Sequence, residues 1–285
     1  MTSSIGEQPS GQWWKSLAAR PVPVDLKTDQ AHSARMYDYY LGGKDHFPAD
    51  REAAERALTV FPNARLVSQQ NRAFMVRATR HLAGELGIRQ FLDIGTGIPT
   101  SPNLHEVAQS VAADSTVVYA DNDPIVLAHA RALLTGDARG HTAYLDADIR
   151  DVERILTAPA LRGALDLTRP VAISLVAVLH FLSADDQPYD IVGRLLDAVP
   201  AGSYLVATHG TADFDPGARR LYEAYRARGI HLQSRDRDEF GRFFAGLDLV
   251  EPGVTVAHRW RPDDAVPPDL TDALVSNYAA VGRKP

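Results

Sequence analysis

Asp93-Ile94-Gly95-Thr96-Gly97 is the stretch of sequence that decides the fold. It follows a short apolar run over residues 91–92, and a second apolar run over residues 116–120 ends at an acidic pair, Asp121 and Asp123. A strand, a glycine turn, a helix and a second strand ending in a carboxylate form the nucleotide-binding unit of doubly wound α/β proteins. The pattern therefore predicts a parallel sheet with a ligand loop after its first strand; a plain structural turn is the alternative.

The chemistry of this turn disfavours a diphosphate. A dinucleotide site has three glycines and several free backbone N–H groups at a helix N-terminus. Here Thr100 replaces the third glycine, and Pro99 and Pro102 each lack a backbone donor. The carboxylate of Asp93 would repel a phosphate and attract an ammonium or a sulfonium group. We therefore expect a positively charged ligand that contains an adenosine.

The composition excludes several kinds of protein. The chain has 285 residues, of which 45% are hydrophobic, so it can bury one large core. It has no cysteine, which excludes disulfides, thiolate catalysis and cysteine-bound metals. The net charge of −6 argues against a general nucleic-acid surface. With no long apolar run and no evident signal peptide, we expect a cytoplasmic protein without a membrane segment.

Three segments are predicted along the chain. Residues 1–30 are polar and rich in Ser, Gly, Gln and Pro, and are expected to form an irregular arm that Trp13-Trp14 pins to the body. Residues 31–88 show helical periodicity and are expected to form an N-terminal helical section. Residues 89–285 alternate apolar runs with helical patterns, which predicts a ligand-binding core with a mostly parallel sheet.

Individual elements can be placed within these segments. Helices are expected to begin at Ser33, Pro48 and Asn63. Ser101 is expected to cap the helix after the first strand, with Pro102 at its first position. Strands are predicted over residues 91–94, 116–120, 141–145, 171–178, 203–208, 247–250, 254–260 and 277–281. The closing strands have no long helix between them, which suggests an antiparallel hairpin at the sheet edge.

Four strings of sequence together resemble a known family. They are Ser33-Ala34-Arg35-Met36-Tyr37-Asp38-Tyr39-Tyr40-Leu41-Gly42-Gly43-Lys44-Asp45, Asn71-Arg72-Ala73-Phe74, Phe91-Leu92-Asp93-Ile94-Gly95-Thr96-Gly97 and Asp121-Asn122-Asp123-Pro124. From about Ala31 onward, the chain resembles class I S-adenosylmethionine-dependent methyltransferases, and more narrowly an actinobacterial group of uncharacterised function. The resemblance implies a doubly wound, mostly parallel seven-stranded α/β sheet of the Rossmann-like methyltransferase kind, with S-adenosylmethionine as the cofactor. It does not supply the methyl acceptor.

The cofactor is assigned to loops that follow the strands, because ligands of open α/β sheets bind at the carboxyl ends of the strands. Asp121 is predicted to bind the ribose hydroxyls and Asp123 to cap the following helix. By resemblance, Asn122 would lie beside the adenine, Asp148 would accept from its amino group and Ile149 would offer its backbone N–H. The complete predicted cofactor set is Asp93, Gly95, Thr96, Gly97, Asp121, Asn122, Asp148, Ile149 and Arg72.

Two of these assignments have open alternatives. Asp146 competes with Asp148, and a solvated acidic turn is as good an interpretation of that loop. Arg72 could pair with the carboxylate of the cofactor, or it could be an ordinary solvent-facing arginine of its helix.

His180, at the end of the fourth strand, is the predicted general base. An ordinary histidine pKa near neutrality suits that role, and a structural histidine is the alternative. No histidine shows a metal-binding spacing such as HExxH, so no metal is predicted.

The helix that begins at Ser33 is interpreted as a lid over the cofactor, with Gly42-Gly43 as its joint. Core packing of its tyrosines is the alternative. The predicted substrate and lid residues are Arg35, Tyr39, Tyr40, Lys44 and His209.

The sequence therefore predicts an S-adenosylmethionine-dependent methyltransferase that acts on a small-molecule acceptor. Transfer from an activated sulfonium methyl mainly requires that the acceptor be positioned and aligned. A non-catalytic, cofactor-binding regulatory protein is the alternative, and a NAD(P)-binding oxidoreductase is disfavoured by Pro99 and Thr100. No nucleic-acid or membrane partner is expected, and the sequence allows a homodimer without fixing the oligomeric state.

Overall fold

One mixed sheet organises the residues that the computed structural model describes, which are 26–133, 139–215 and 217–285. The helices are α1 (Ser33–Tyr40), α2 (Pro48–Val60), α3 (Ala64–Gly84), α4 (Leu104–Val111), α5 (Pro124–Leu133), α6 (Val152–Thr157), α7 (Pro159–Ala164), α8 (Pro188–Asp197), α9 (Ala218–Arg226), α10 (Arg237–Gly241) and α11 (Asp272–Val275). The strands are β1 (Gln90–Ile94), β2 (Thr116–Asp121), β3 (His141–Asp146), β4 (Ala172–Leu175), β5 (Tyr204–Gly210), β6 (Asp248–Leu249), β7 (Thr255–Val256) and β8 (Asn277–Arg283).

The strand order is β3-β2-β1-β4-β5-β8-β6, with β7 also paired to β8. Strands β1 to β5 pair with one another in parallel, and β8 runs antiparallel to β5, β6 and β7. The chain runs outward from β1 to β3 and then returns to β4, so the order reverses between β1 and β4. A doubly wound α/β sheet binds ligands at such a reversal, beyond the carboxyl ends of the strands.

The doubly wound, mostly parallel sheet is the predicted one; its eight strands match the eight ranges predicted from the apolar runs, whereas the family resemblance implied seven. The difference lies at the edge, where two short strands of two residues each, β6 and β7, both pair with β8. The strand predicted over residues 254–260 stops early because Ala257–Arg259 form a 3₁₀ turn. That turn places Trp260 in the core, where its side chain is fully buried.

Alternate side chains of the strands bury against two separate helical layers. In β2, Val118 and Ala120 pack with α6, α7 and α8, whereas Val117 and Tyr119 pack with α3 and α4. This period of two is the expected consequence of the pleat. Both faces of the sheet are covered, so only its edges and the carboxyl ends of its strands can form an open site.

Two predicted element ends were wrong for local reasons. Helix α4 begins at Leu104 rather than at Pro102, and Glu106 accepts a hydrogen bond of 2.7 Å from the backbone N–H of Asn103. This hydrogen bond from the N-cap backbone to the glutamate belongs to a capping box, and the Asn-x-x-Glu spacing of that motif is present in the sequence. Strand β4 ends at Leu175 rather than at residue 178, because Ala177 adopts a left-handed φ of 58° that cannot continue a strand.

The N-terminal helices occupy two places. Helix α3 packs against the sheet through Phe74, Ala78 and Leu82, whereas α1 and α2 form a separate apolar cluster with α9. The predicted arm up to residue 25, including Trp13-Trp14, lies outside the described residues. Across the described ranges, no helix has the length and apolar character needed to cross a membrane.

Substituting Trp260 by Ala should destabilise the protein by about 3–5 kcal/mol, the usual cost of removing a large buried ring. The ring packs edge-on to Phe74 at 5.3 Å between centroids, and its loss would leave a cavity beneath α3. Urea unfolding followed by circular dichroism measures the change. As a control, Leu249→Ala, at a position 44% exposed, should stay within about 0.5 kcal/mol of the wild type. Equal effects of the two substitutions would contradict this account of the core.

Candidate active site

A cavity of about 860 Å³ opens at the carboxyl edge of the sheet. Loops that follow β1 to β5 line it, together with residues of α1, α3 and α9. Every member of the predicted cofactor set contributes to the wall, as does His180. The sheet topology thus brings the loop residues chosen from the sequence to one place.

The glycine turn after β1 is held close to the neighbouring strands. Gly95 and Gly97 have φ values of +74° and +68°, which side-chain-bearing residues rarely adopt. A Cβ on Gly95 would lie 2.6 Å from Cγ2 of Val178, so no larger residue fits there. The N–H of Gly95 donates to the carbonyl of Ala120 at 2.8 Å, and this bond ties the turn to β2.

Asp93 is a half-buried carboxyl group at the start of this turn. Burial raises its pKa to about 6, although the nearby Arg72 guanidinium opposes the shift. A carboxylate that is costly to ionise in the free protein gains most from a cationic ligand. The electrostatics of the turn therefore favour an ammonium or sulfonium group over a phosphate.

Asp121 closes the turn from the side of β2. Its Oδ2 accepts from the N–H of Gly97 at 2.9 Å, and its Oδ1 accepts from the N–H of Asp123 at 2.9 Å. Burial raises the pKa of Asp121 as well, while the two backbone donors favour the charged form. Carboxylate oxygens have further lone pairs, so both can still accept from a ligand hydroxyl.

Asp123 occupies the helix-capping position that the sequence indicated. Its Oδ1 accepts from the N–H of Ile125 at 2.8 Å at the start of α5. On its other side, Nδ1 of His32 lies 3.0 Å from Oδ2 of Asp123, and the neighbouring imidazole lowers the pKa of this aspartate against the effect of burial. His32 is the N-cap of α1, so this contact joins α1 to the loop that follows β2.

The loop after β3 presents Asp148 rather than Asp146 to the cavity. Asp148 accepts from Nδ2 of Asn122 at 2.7 Å and from the N–H of Arg150 at 2.9 Å. Asp146 does not line the cavity, and it lies 3.6 Å from Nη2 of Arg154 on the surface. Arg150 was not predicted; it also donates to Asp186 at 2.8 Å and so fixes the loop.

Arg72 lines the cavity but is already engaged. Its Nη2 donates to the carbonyl of Pro102 at 2.7 Å and also to that of Thr100. It therefore secures the loop between β1 and α4. Neither of the two roles considered from the sequence, a partner for the cofactor or an ordinary exposed arginine, included this contact.

His180 does not have the near-neutral pKa expected of a base. Burial, aided by the positive charge of Arg235, lowers its pKa to about 3. Its Nδ1 is buried without a hydrogen-bond partner. At physiological pH this imidazole is neutral, so in the free protein it can form hydrogen bonds in the cavity wall but is a weak proton acceptor.

His209 lies behind the wall rather than in it. Its ring is fully buried, and its Nδ1 donates to the carbonyl of Gly210 at 2.7 Å. Its Nε2 accepts from Arg235 at 2.8 Å. Arg235 also donates to the carbonyls of Leu179 and Leu182 at 3.0 Å each, so the pair supports the turn that presents His180.

Of the predicted lid residues, Tyr40 lines the cavity and receives a hydrogen bond of 3.1 Å from the hydroxyl of Tyr225. Arg35 is buried between helices, with its Nε 3.4 Å from Asp50. Tyr39 packs under Arg65 at 4.7 Å, away from the cavity, and Lys44 is exposed to solvent. These three residues do not line the cavity, because α1 directs Arg35 and Tyr39 toward α2 and Lys44 lies in the turn that follows α1.

The joint predicted at Gly42-Gly43 is a closed turn. A Cβ on Gly43 would lie 1.9 Å from Oδ1 of Asp38, and the same carboxylate accepts from the N–H of Asp45 at 3.0 Å. Helix α1 nevertheless covers the cavity, since a Cβ on Gly97 would lie 4.0 Å from the Cβ of Ala34. The cover is thus anchored at both ends, by Asp123 and by Asp38.

Several wall residues were missed by the sequence analysis, notably Ser68, Asn71, Asn277 and the tyrosines of α9. Asn71 and Asn277 are joined by a hydrogen bond of 3.0 Å although 206 positions separate them in the chain. A pattern in the local sequence cannot reveal a contact between residues so far apart in the chain. In the part of the chain that the structure describes, no group of three or more His, Asp or Glu side chains is placed to hold a metal.

Comparisons with known proteins agree with this architecture. A family whose description is S-adenosyl methyltransferase matches residues 20–285. A DUF574 family protein from Streptomyces avermitilis is 51% identical, covers 92% of this chain and 100% of its own, and superposes with a TM-score of 0.90. A presumed methyltransferase from Thermobifida fusca is 44% identical, with coverage of 92% and 98% and a TM-score of 0.86. Among proteins of curated function, no match is found.

Substituting Asp93 by Asn should stabilise the free protein at pH 8. The pKa of Asp93 is raised from 3.8 to about 6, so its contribution to stability is present below about pH 4 and is lost as the pH rises through 6. Removing the charge should therefore raise the melting temperature by a few degrees, roughly the effect of one to two kcal/mol, at pH 8. The gain should shrink as the pH falls toward 4.

Differential scanning fluorimetry of the Asp93→Asn variant at pH 5 and pH 8 measures this difference. The exposed Asp29, which also lines the cavity, provides a matched control, and Asp29→Asn should change the melting temperature little at either pH. A gain that is equal at both pH values, or a loss at pH 8, would show that Asp93 does not carry a destabilising charge.

Proposed function

Since this chain belongs to the S-adenosyl methyltransferase family, we propose that it transfers the methyl group of S-adenosylmethionine to a small-molecule acceptor bound in the same cavity. The observation that supports this most strongly is the continuity of that cavity. It joins the acidic glycine turn to a wall of tyrosines on α1 and α9 within one space of about 860 Å³. A cofactor and a small acceptor can therefore lie side by side without a domain movement.

The residues at the acidic end fit this cofactor. Bound there, it supplies a methyl group already activated by its sulfonium. Asp93 offers a carboxylate whose raised pKa reflects the lack of a sufficient counter-charge. We assign Asp121 to the ribose hydroxyls, and Asn122, Asp148 and Ile149 to the adenine. The glycine turn allows the ligand to approach the backbone of Gly95 and Gly97 closely.

The same geometry disfavours a dinucleotide. The N–H of Gly97, which a diphosphate would need, donates to the carboxylate of Asp121. Arg72, the nearest cation of the turn, donates to two backbone carbonyls instead. Two carboxyl groups with raised pKa values, those of Asp93 and Asp121, face the space that a phosphate would fill.

We propose that catalysis rests mainly on positioning. Holding an acceptor in line with an activated methyl can by itself supply much of the acceleration. We assign His180 to the wall beside the acceptor as a neutral hydrogen-bonding group, because burial holds its pKa at about 3. Arg235 and His209 fix the turn on which it lies. The cytoplasmic location and the lack of a nucleic-acid partner remain expectations from composition.

Substituting Asp121 by Ala should weaken the binding of S-adenosylhomocysteine by more than tenfold, about the worth of paired charged hydrogen bonds. Isothermal titration calorimetry measures this. Asp146→Ala is the matched control, because Asp146 pairs with Asp121 in the register of β2 and β3 yet lies outside the cavity. It should leave the affinity within about twofold. If the Asp121→Ala variant bound S-adenosylhomocysteine with unchanged affinity, the assignment of Asp121 to the ribose hydroxyls would be wrong.

Methyl transfer itself can be tested with S-adenosylmethionine labelled in the methyl group. The labelled cofactor and the enzyme are incubated separately with the small-molecule fraction and with the macromolecular fraction of a cell extract. We expect label in the small-molecule fraction, and none when Asp121→Ala replaces the wild type. Label found only in the macromolecular fraction would overturn the proposed acceptor class. Binding without transfer to either fraction would favour the non-catalytic alternative.

A further inference from the structure

The end of the cavity away from the glycine turn has an aromatic wall. Tyr40, Phe61, Tyr222, Tyr225 and Leu232 belong to one buried apolar cluster and all line the cavity; we name this region the acceptor chamber. Burial raises the pKa of Tyr222 and of Tyr225 to about 12, so their hydroxyls stay neutral. The chamber thus offers ring faces and no formal charge of its own.

Two charged residues of the cavity wall form an ion pair with each other. Glu52 and Arg228 both line the cavity, and Nη2 of Arg228 lies 3.6 Å from Oε1 of Glu52. Both side chains are also substantially accessible to solvent, so they belong to the outer part of the wall. A charged acceptor would find no unpaired partner in this pair.

One buried polar chain crosses the wall, and its hydrogen-bond directions are fixed. The carbonyl of Ser68 can only accept, so the hydroxyl of Tyr37 donates to it, at 3.1 Å. That hydroxyl must then accept from Nδ2 of Asn71, at 2.8 Å. Oδ1 of Asn71 therefore faces Asn277 and accepts from its Nδ2, at 3.0 Å. The remaining amide atom of Asn277 is an oxygen, and no flip of either amide fits this chain.

The oxygen at the end of this chain has no partner. Asn277 is 4% exposed and lines the cavity, and its Oδ1 is buried without a hydrogen bond. A buried carbonyl without a donor is unfavourable and is uncommon in proteins. A ligand with an O–H or N–H group would relieve that deficit.

Asn277 lies on the acceptor side of the cavity. It begins β8 opposite Gly210, and a Cβ on Gly210 would lie 3.2 Å from the hydroxyl of Tyr222 in the acceptor chamber. In the sheet, β4 and β5 separate β8 from β1, which places it about 14 Å from the glycine turn at ordinary strand spacing. The position suits a contact with the acceptor rather than with the adenosine.

We propose that the acceptor is a neutral aromatic molecule whose hydroxyl or N–H group donates a hydrogen bond to Oδ1 of Asn277. This inference rests on the proposed function, since it identifies the acceptor class of the same site. The ring packs against the tyrosines of the chamber, and the oxygen of Asn277 selects for a donor. A compound of similar shape that can only accept would leave this oxygen unpaired, and sites of this kind reject such analogues strongly.

The test compares two probes, 2-naphthol, which can donate, and 2-methoxynaphthalene, which can only accept. Their dissociation constants are measured by fluorescence titration on the full chain saturated with S-adenosylhomocysteine. We expect the wild type to bind 2-naphthol at least about tenfold more tightly, the ratio that one satisfied polar group gives. In Asn277→Leu, which removes the oxygen at similar size, the ratio should fall to about one.

Two further variants make the test specific. Asn63→Leu, the same change at a position outside the cavity, should keep the preference for 2-naphthol. Tyr37→Phe removes the hydroxyl that sets the amide directions, so the ratio should fall although Asn277 is intact. This second variant also decides the matter if Asn277→Leu fails to fold.

The outcomes separate this inference from the proposed function. A wild type that does not bind S-adenosylhomocysteine would contradict the proposed function itself. If that ligand binds, a wild-type ratio near one, no binding of either probe, or a ratio unchanged in Asn277→Leu would overturn the inference alone. A loss of S-adenosylhomocysteine affinity of more than about twofold in Asn277→Leu would place this side chain in the cofactor site, and would also overturn it.

Discussion

The connection between the β1 turn and the end of β2 is the constraint on which the site depends. The N–H of Gly95 donates to the carbonyl of Ala120, and the N–H of Gly97 donates to the carboxylate of Asp121. These bonds hold two carboxyl groups, those of Asp93 and Asp121, at one edge of the sheet, where burial raises the pKa of each. The two-layered core tolerates that local cost because both faces of the sheet are covered by helices.

Local pattern predicted where several wall residues lie. The apolar runs located β1 and β2, and the glycine turn and the acidic end of β2 both line the cavity. Asn122, Asp148 and Ile149, which were assigned by resemblance, line the same cavity. The helix cap at Asn103 was missed although its capping-box spacing was readable, because Ser101 and Pro102 offered a competing signal. The predicted strand over residues 254–260 is shorter than expected because a 3₁₀ turn forms at residues 257–259, and the apolar pattern did not indicate that turn.

Other features depend on tertiary structure and could not be predicted. The hydrogen bond between Asn71 and Asn277 joins a helix near the start of the core to a strand that follows every other strand. The pKa of His180 depends on burial and on Arg235, which lies far from it in sequence. Arg35 and Lys44 belonged to an unusual string, and the structure shows that the string forms an anchored helix and a closed turn. Residue type alone could not distinguish a side chain that packs behind the cavity wall from one that faces the cavity.

The place of β8 in the sheet affects the order in which the site can be assembled. This strand comes after all other strands in the chain, yet it lies between β5 and the short edge strand β6. A ribosome releases the glycine turn after β1 long before it releases Asn277. Because domains generally fold as units, the sheet cannot be completed until this last strand has been synthesised. Until β8 is available, β5 lacks its antiparallel partner, and Asn277 is missing from the wall opposite the glycine turn.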